Sequence, residues 1–207
     1  MAATLHDMSH PRLIAVVGVD GSGKTTTAKA LVRELRGRGL RAKYFENAGG
    51  RPPLNWLARR LGHADAVGWL GADRMQAIEQ RVRHLLMRLA AAWSRLPGER
   101  VAVLDRWTVC QYAVVRARGS VGEEAARRRY EHLPWPDAVA FLDVSPVVAR
   151  DRLVRRGKDV DDLAWLERYD AAYRTLPEWE RFTIVDGKRS TAEVVGDLAA
   201  LVGNRTE

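Results

Sequence analysis

The segment that decides the fold is Arg12-Leu-Ile-Ala-Val-Val-Gly-Val-Asp-Gly-Ser-Gly-Lys-Thr-Thr26. Its first half is an uninterrupted aliphatic run of strand length, the pattern of a strand covered on both faces. Its second half, Gly18 to Thr25, fits G-x-x-x-x-G-K-[ST] and runs into a helical stretch, 24–36, closed by Gly37 and Gly39. A strand, a glycine-rich turn and a helix N-terminus in that order present backbone N–H groups to a phosphate chain. The segment therefore reads as a nucleoside triphosphate site. In that reading Gly18, Asp20, Gly21, Ser22, Gly23, Lys24, Thr25 and Thr26 line the phosphates of ATP. Lys24 reaches the β and γ phosphates, and the Thr25 hydroxyl ligates Mg²⁺.

Outward from this segment, short apolar runs alternate with amphipathic stretches. Strands are expected over 12–18, 41–45, 101–104, 138–143 and 182–185. Helices are expected over 54–61, 67–96, 107–117, 123–131, 146–156, 163–176 and 191–202, with 47–53 as a Gly- and Pro-rich loop. Strands joined by helical crossovers give an α/β class. The expected architecture is a three-layer P-loop fold, a five-stranded parallel sheet flanked by helices, with a short mobile lid at about 155–162. Residues 1–11 are expected as a flexible tail and 12–207 as one domain.

Composition narrows the function classes. With 207 residues, 46% hydrophobic and 29% charged, the chain suits an ordinary globular domain. A single cysteine, Cys110, excludes an intramolecular disulfide. No run approaches the roughly 18 apolar residues that a membrane span requires. Residues 1–11 carry no apolar core of a secretory signal, so the expected compartment is cytoplasmic and reducing. The net charge is +8, and only 5 of the 34 basic residues are lysine. Arginine excess suits an anionic partner, although genomic base composition produces the same excess. The Arg127-Arg128-Arg129 run reads as a solvated helical face, which makes nucleic acid an unlikely partner on sequence grounds.

A second phosphate-facing signal is Asp105-Arg106, at the carboxyl end of the run Val101–Leu104. Ligands in open α/β sheets bind at strand carboxyl ends. Arg106 can clamp an acceptor phosphate there, and Asp105 can hold Mg²⁺ or steady Lys24. The competing reading is a helix-capping aspartate beside a solvated arginine. The chain lacks the N-K-x-D of GTPases and the L-S-G-G-Q of transporter ATPases.

Together these motifs resemble the thymidylate kinase family of nucleoside monophosphate kinases, over about 13–201. Val-Asp-Gly-Ser-Gly-Lys-Thr-Thr (19–26) resembles the family's phosphate loop, Ala72-Asp73-Arg74 its A-D-R segment, and Asp105-Arg106-Trp107 its D-R-[YFW] motif. Pro136-Asp137 with Phe141-Leu142-Asp143-Val144 resembles its P-D…L-D-V strand, and 152–157 its helix entering the lid. The resemblance implies that Asp20, Arg74 and Arg106 face the acceptor, joined by Arg51, Leu70 and Gln111, which fall at neighbouring acceptor positions. It also implies pairing of two chains through 76–96. Because the phosphate loop has no basic residue between Asp20 and Gly23, charge on the transferring phosphoryl falls to the lid side, from Arg152, Arg155, Arg156 or Lys158. Arg152 and Arg156 join Lys24, Asp105 and Arg106 in the expected catalytic set.

Four departures cluster away from the phosphate loop. The R-E-P-G-G-T loop reads Glu46-Asn47-Ala48-Gly49-Gly50-Arg51, and the base-stacking aromatic is Leu70. The hydroxyl of D-R-Y-x-x-S is Cys110, and the lid D-R is Asp161-Asp162. The expected function is ATP- and Mg²⁺-dependent phosphoryl transfer to a nucleoside monophosphate, dTMP or a related nucleotide. The alternatives are a kinase of another small anionic acceptor and a non-catalytic ATP- or nucleic-acid-binding protein. His63 and His84 have no second ligand at helical spacing and are read as ordinary core or surface residues.

Overall fold

A computed structural model describes residues 12–47, 49–157 and 160–202; the expected tail 1–11 and Lys158 lie outside the described residues. The aliphatic run forms β1 (Leu13–Val17), every residue of which is buried. It is followed by α1 (Lys24–Gly37) and β2 (Arg41–Glu46). Three helices, α2 (Arg51–Arg60), α3 (Ala66–Leu70) and α4 (Ala72–Ser94), lead to β3 (Arg100–Asp105). Next come α5 (Thr108–Ala117), α6 (Glu123–Tyr130), β4 (Ala138–Asp143), α7 (Pro146–Arg156) and α8 (Leu163–Arg174). A 3₁₀ turn at Trp179–Arg181 precedes β5 (Thr183–Asp186) and α9 (Thr191–Leu201).

The sheet order is β2-β3-β1-β4-β5, and every pairing is parallel. This is the expected five-stranded α/β sheet. Strand alternation divides its core in two. Ile14 and Val16 pack with Leu31 and Leu35 of α1 and Leu198 of α9. Leu13, Ala15 and Val17 point to the other face, among Met87, Trp107, Phe141 and Tyr173. A parallel strand enclosed on both sides needs a continuous apolar sequence, and β1 supplies it. No helix among the described residues is long and apolar enough to cross a membrane.

Two local expectations fail. The loop expected over 47–53 ends early, because Arg51-Pro52-Pro53 already form the first turn of α2. Proline is favoured in a first helical turn, where its missing N–H has no partner to lose. The single helix expected over 67–96 breaks at Gly71, which has φ 81° and ψ 154°. Apolar periodicity continues across the break, but that backbone conformation is essentially confined to glycine. The break lets α3 fold back on α2 around a small separate cluster of Ala58, Ala66 and Met75.

Gly71→Ala should therefore destabilise the chain by about 1–2 kcal/mol. The check is the urea midpoint; an unchanged midpoint would mean that α3 and α4 rejoin without strain.

Candidate active site

The phosphate loop joins β1 to α1 at the centre of the sheet. Gly21 has φ 84°, and a Cβ built there would lie 2.2 Å from the carbonyl oxygen of Ala149 in α7. Only glycine lets α7 dock this close. The N-cap of α1 is Gly23, in the left-handed region, with no side-chain cap and no acidic residue in the first turn. The first N–H groups of α1 thus keep their donor capacity and positive field for an anion.

Three charged side chains meet at one oxygen. Asp20 Oδ1 accepts from Arg106 Nη2 at 2.5 Å and from Lys24 Nζ at 3.3 Å. Lys24 also donates to the Val19 carbonyl at 2.7 Å. Burial would raise the Asp20 carboxyl, but Lys24 and Arg106 outweigh it and hold the group well below the ordinary carboxylate range. Burial, reinforced by Arg106, pushes the Lys24 ammonium down. Burial opposes the Arg106 charge too, yet Asp20 overrides it and holds the guanidinium firmly protonated. Arg106 has φ 101°, the only positive φ outside glycine among the described residues. Such a conformation costs on the order of 1–3 kcal/mol and collects at functional sites. Its N–H donates to the Val16 carbonyl at 3.0 Å, so the strained residue is anchored to β1.

Asp105 is buried and accepts three hydrogen bonds. Its Oδ2 accepts from the Thr25 hydroxyl at 2.6 Å and from the Tyr44 phenol at 2.7 Å. Its Oδ1 accepts from the Asn47 N–H at 3.1 Å. Burial and the Asp105 carboxylate hold the Tyr44 phenol above its ordinary range, so it stays a donor. The capping reading of Asp105-Arg106 is thereby set aside, since the N-cap of α5 is Trp107 and Arg106 is paired. A hydroxyl and one carboxylate, both hard oxygen donors, fit Mg²⁺ carried on nucleotide phosphates. No cluster of three His, Cys, Asp or Glu groups suited to a metal occurs among the described residues.

A cavity of about 290 Å³ brings Asp20, Gly21, Gly23, Lys24, Thr25 and Thr26 together with Arg106, Arg152 and Arg156. Gly18 lies beneath the loop, where an added Cβ would be 3.0 Å from Ser22 Oγ and from the Leu142 carbonyl. A second cavity, about 350 Å³, opens beyond the loop and includes Ser22, Arg152, Gly187, Arg189, Ser190 and Thr191. Arg152 ties the two regions, donating to the carbonyls of Ser22 at 3.4 Å and Gly187 at 3.0 Å. A further cavity, about 430 Å³, lies apart on the outer face of α4 and contains no phosphate-loop residue.

The other acceptor-side residues do not join the first cavity. Arg51 is mostly exposed and pairs with buried Glu79, whose other oxygen takes Arg83 at 3.0 Å. Leu70 packs against the small α2–α4 cluster, Arg74 is exposed on α4, and Gln111 is half-buried on α5. Sequence reasoning missed Tyr44, Asn47 and the Gly187–Thr191 segment. Strand parity could have found Tyr44, which shares its face with Ala42; the Gly187–Thr191 segment carries no motif.

Comparisons with known proteins point to one family. Residues 16–198 match the family model described as Thymidylate kinase. A thymidylate kinase from Halorhodospira halophila is 29% identical over 203 residues, covering 92% of this chain and 93% of the relative. One from Akkermansia muciniphila is 34% identical over 150 residues, covering 71% and 69%. A probable thymidylate kinase from Pyrobaculum aerophilum is 26% identical, covering 91% and 95%.

Replacing Asp20 by asparagine should destabilise the chain by about 2 kcal/mol near neutral pH, because two guanidinium and ammonium charges lose their partner. That is below the cost of breaking a fully buried pair, since the Asp20 side chain is 30% exposed. The folded-state carboxyl lies below its unfolded value, so its contribution is full above the unfolded pKa. The gap between wild type and Asp20→Asn should therefore close as pH falls below about 4. Denaturant titrations at several pH values check this; a gap that widens on acidification would refute it.

Proposed function

This chain belongs to the thymidylate kinase family, and from that premise we propose how its residues carry ATP-dependent phosphorylation of dTMP to the diphosphate. The chain is a nucleoside monophosphate kinase; acceptors outside that class are not favoured, because relatives named thymidylate kinase align over nearly its full length. The observation that carries the residue assignment is the meeting of Lys24 and Arg106 on Asp20 Oδ1, at 3.3 and 2.5 Å, beside the phosphate loop.

Lys24 turns from the Val19 carbonyl and Asp20 to the β and γ phosphate oxygens of ATP. Arg106 orients the acceptor phosphate, whose oxygen attacks the γ phosphorus as the bond to the β-phosphate oxygen breaks. A phosphate nucleophile is already ionised at neutral pH, so the reaction asks for positioning and charge neutralisation more than for a general base. Arg152 and Arg156 supply positive charge from α7. The segment 155–162 acts as a lid that excludes water and so protects ATP from hydrolysis. Thr25 and Asp105 hold Mg²⁺, which neutralises charge on the β and γ phosphates when bound.

Ser22 Oγ is buried without a hydrogen-bond partner among the described residues, and it borders the cavity that we assign to the rest of ATP. On the acceptor side, Asp20, Leu70, Arg74 and Gln111 contact dTMP, and Arg51 enters with its guanidinium fixed by Glu79. The proposal extends to a cytoplasmic homodimer joined through the outer face of α4, where Leu85 and Leu89 are exposed.

Lys24→Ala should lower turnover of ATP and dTMP by at least about 10³-fold; near-normal turnover in a coupled ADP assay would remove the donor assignment. Arg106→Ala should reduce kcat/KM for dTMP by about 10²-fold or more while leaving the KM for ATP within about three-fold. An equal effect on both substrates would mean that Arg106 is structural.

A further inference from the structure

Tyr44 has no part in the phosphoryl transfer just described, yet it reaches the same carboxylate as Thr25. Ala42 of β2 and Val101 and Val103 of β3 lie on the sheet face packed against α1. Tyr44 packs on that face as well, and its register partner on β3 is Val103. Asp105 is two residues further on, about 6.6 Å along the strand. A serine or threonine at 44 would be too short to cover that offset, and a phenylalanine would have nothing to donate. The tyrosine spans it and donates to Asp105 Oδ2 at 2.7 Å. Lys29 Nζ lies 5.3 Å from the Tyr44 ring centroid and holds the ring from the α1 side.

The consequence falls on Thr25. Its hydroxyl has one hydrogen, donated to the same Asp105 oxygen at 2.6 Å. With that hydrogen committed, the hydroxyl lone pairs are directed away from Asp105, and a lone pair is what a cation ligand must offer. The arrangement holds only while the carboxylate keeps its orientation. The Asn47 N–H fixes one oxygen and the Tyr44 phenol fixes the other.

We propose that Tyr44 is a positioning residue for the divalent cation of the donor nucleotide: by donating to Asp105 Oδ2, it holds the carboxylate that orients Thr25 as a ligand. The inference rests on the assignment of Thr25 and Asp105 to Mg²⁺. It makes cation binding sensitive to a side chain on β2 that touches neither nucleotide nor metal.

The test is calorimetric titration of the intact chain with the non-hydrolysable analogue AMP-PNP, in excess MgCl₂ and again in EDTA. The readout is the ratio of the two affinities. Tyr44→Phe should keep the EDTA affinity within about two-fold of wild type and reduce the Mg²⁺ enhancement about ten-fold, the scale of one hydrogen bond to a charged group. On an Asp105→Asn background the same substitution should add nothing. An unchanged enhancement overturns the proposal. So does a loss of equal size with and without Mg²⁺, which marks a tyrosine that only supports the fold, or a further loss on the Asp105→Asn background. Failure of the underlying assignment has a different signature: wild type shows no Mg²⁺ enhancement, or Thr25→Val retains all of it, and the proposal then falls with it.

Discussion

One carboxylate oxygen organises this molecule: Asp20 Oδ1 takes both Arg106 and Lys24. Two cations against one anion leave an excess positive charge next to a helix N-terminus that has no side-chain cap. Charges withdrawn from water are costly unless they are paired. The site is therefore stabilised by Asp20 and still short of one negative group, which in the proposed function a phosphate chain supplies. The strained backbone of Arg106 belongs to the same economy, since its anchorage to Val16 holds the guanidinium over the loop.

That arrangement depends on the sheet. β1 lies between β3 and β4, so the loop leaving it emerges where chain connections diverge to either side. β3 delivers Asp105 and Arg106 beside the loop, and β2 delivers Tyr44 and Asn47 to Asp105. From the opposite side, α7 approaches so closely that Gly21 has no room for a Cβ, and it brings Arg152 and Arg156 to the cavity. Sites assembled from several strand ends are held more firmly than any one loop could hold them, which suits a reaction whose main demand is positioning.

The α2–α4 side is built differently. Its small apolar cluster is separate from the two main cores, and Leu70 serves that cluster. Glu79 binds Arg51 and Arg83 together. A glutamate on one helix fixing an arginine that starts another is a means of setting the angle between α2 and α4. The departures noted around Glu46–Arg51 and Leu70 thus coincide with a region stabilised by its own contacts. Family membership shows that they are compatible with a thymidylate kinase.

The chain's sequence alone determined the α/β class and the strand–loop–helix unit, and it nominated most of the donor-side residues proposed above. Each of these rests on local physics: an aliphatic run long enough for one buried strand, glycines where φ must be positive, and a lysine and threonine at a fixed offset within one turn. The break at Gly71 was not legible, because apolar periodicity runs through it and periodicity carries no information about a single backbone angle. Nor was the early start of α2, where proline in a first turn resembles proline in a loop. Only the tertiary structure decided that Asp20 pairs with Arg106, 86 residues away, and that Tyr44 and Thr25 share one oxygen of Asp105. Those contacts join residues remote in sequence through strand register and helix docking, and no pattern within a short window encodes where such side chains meet.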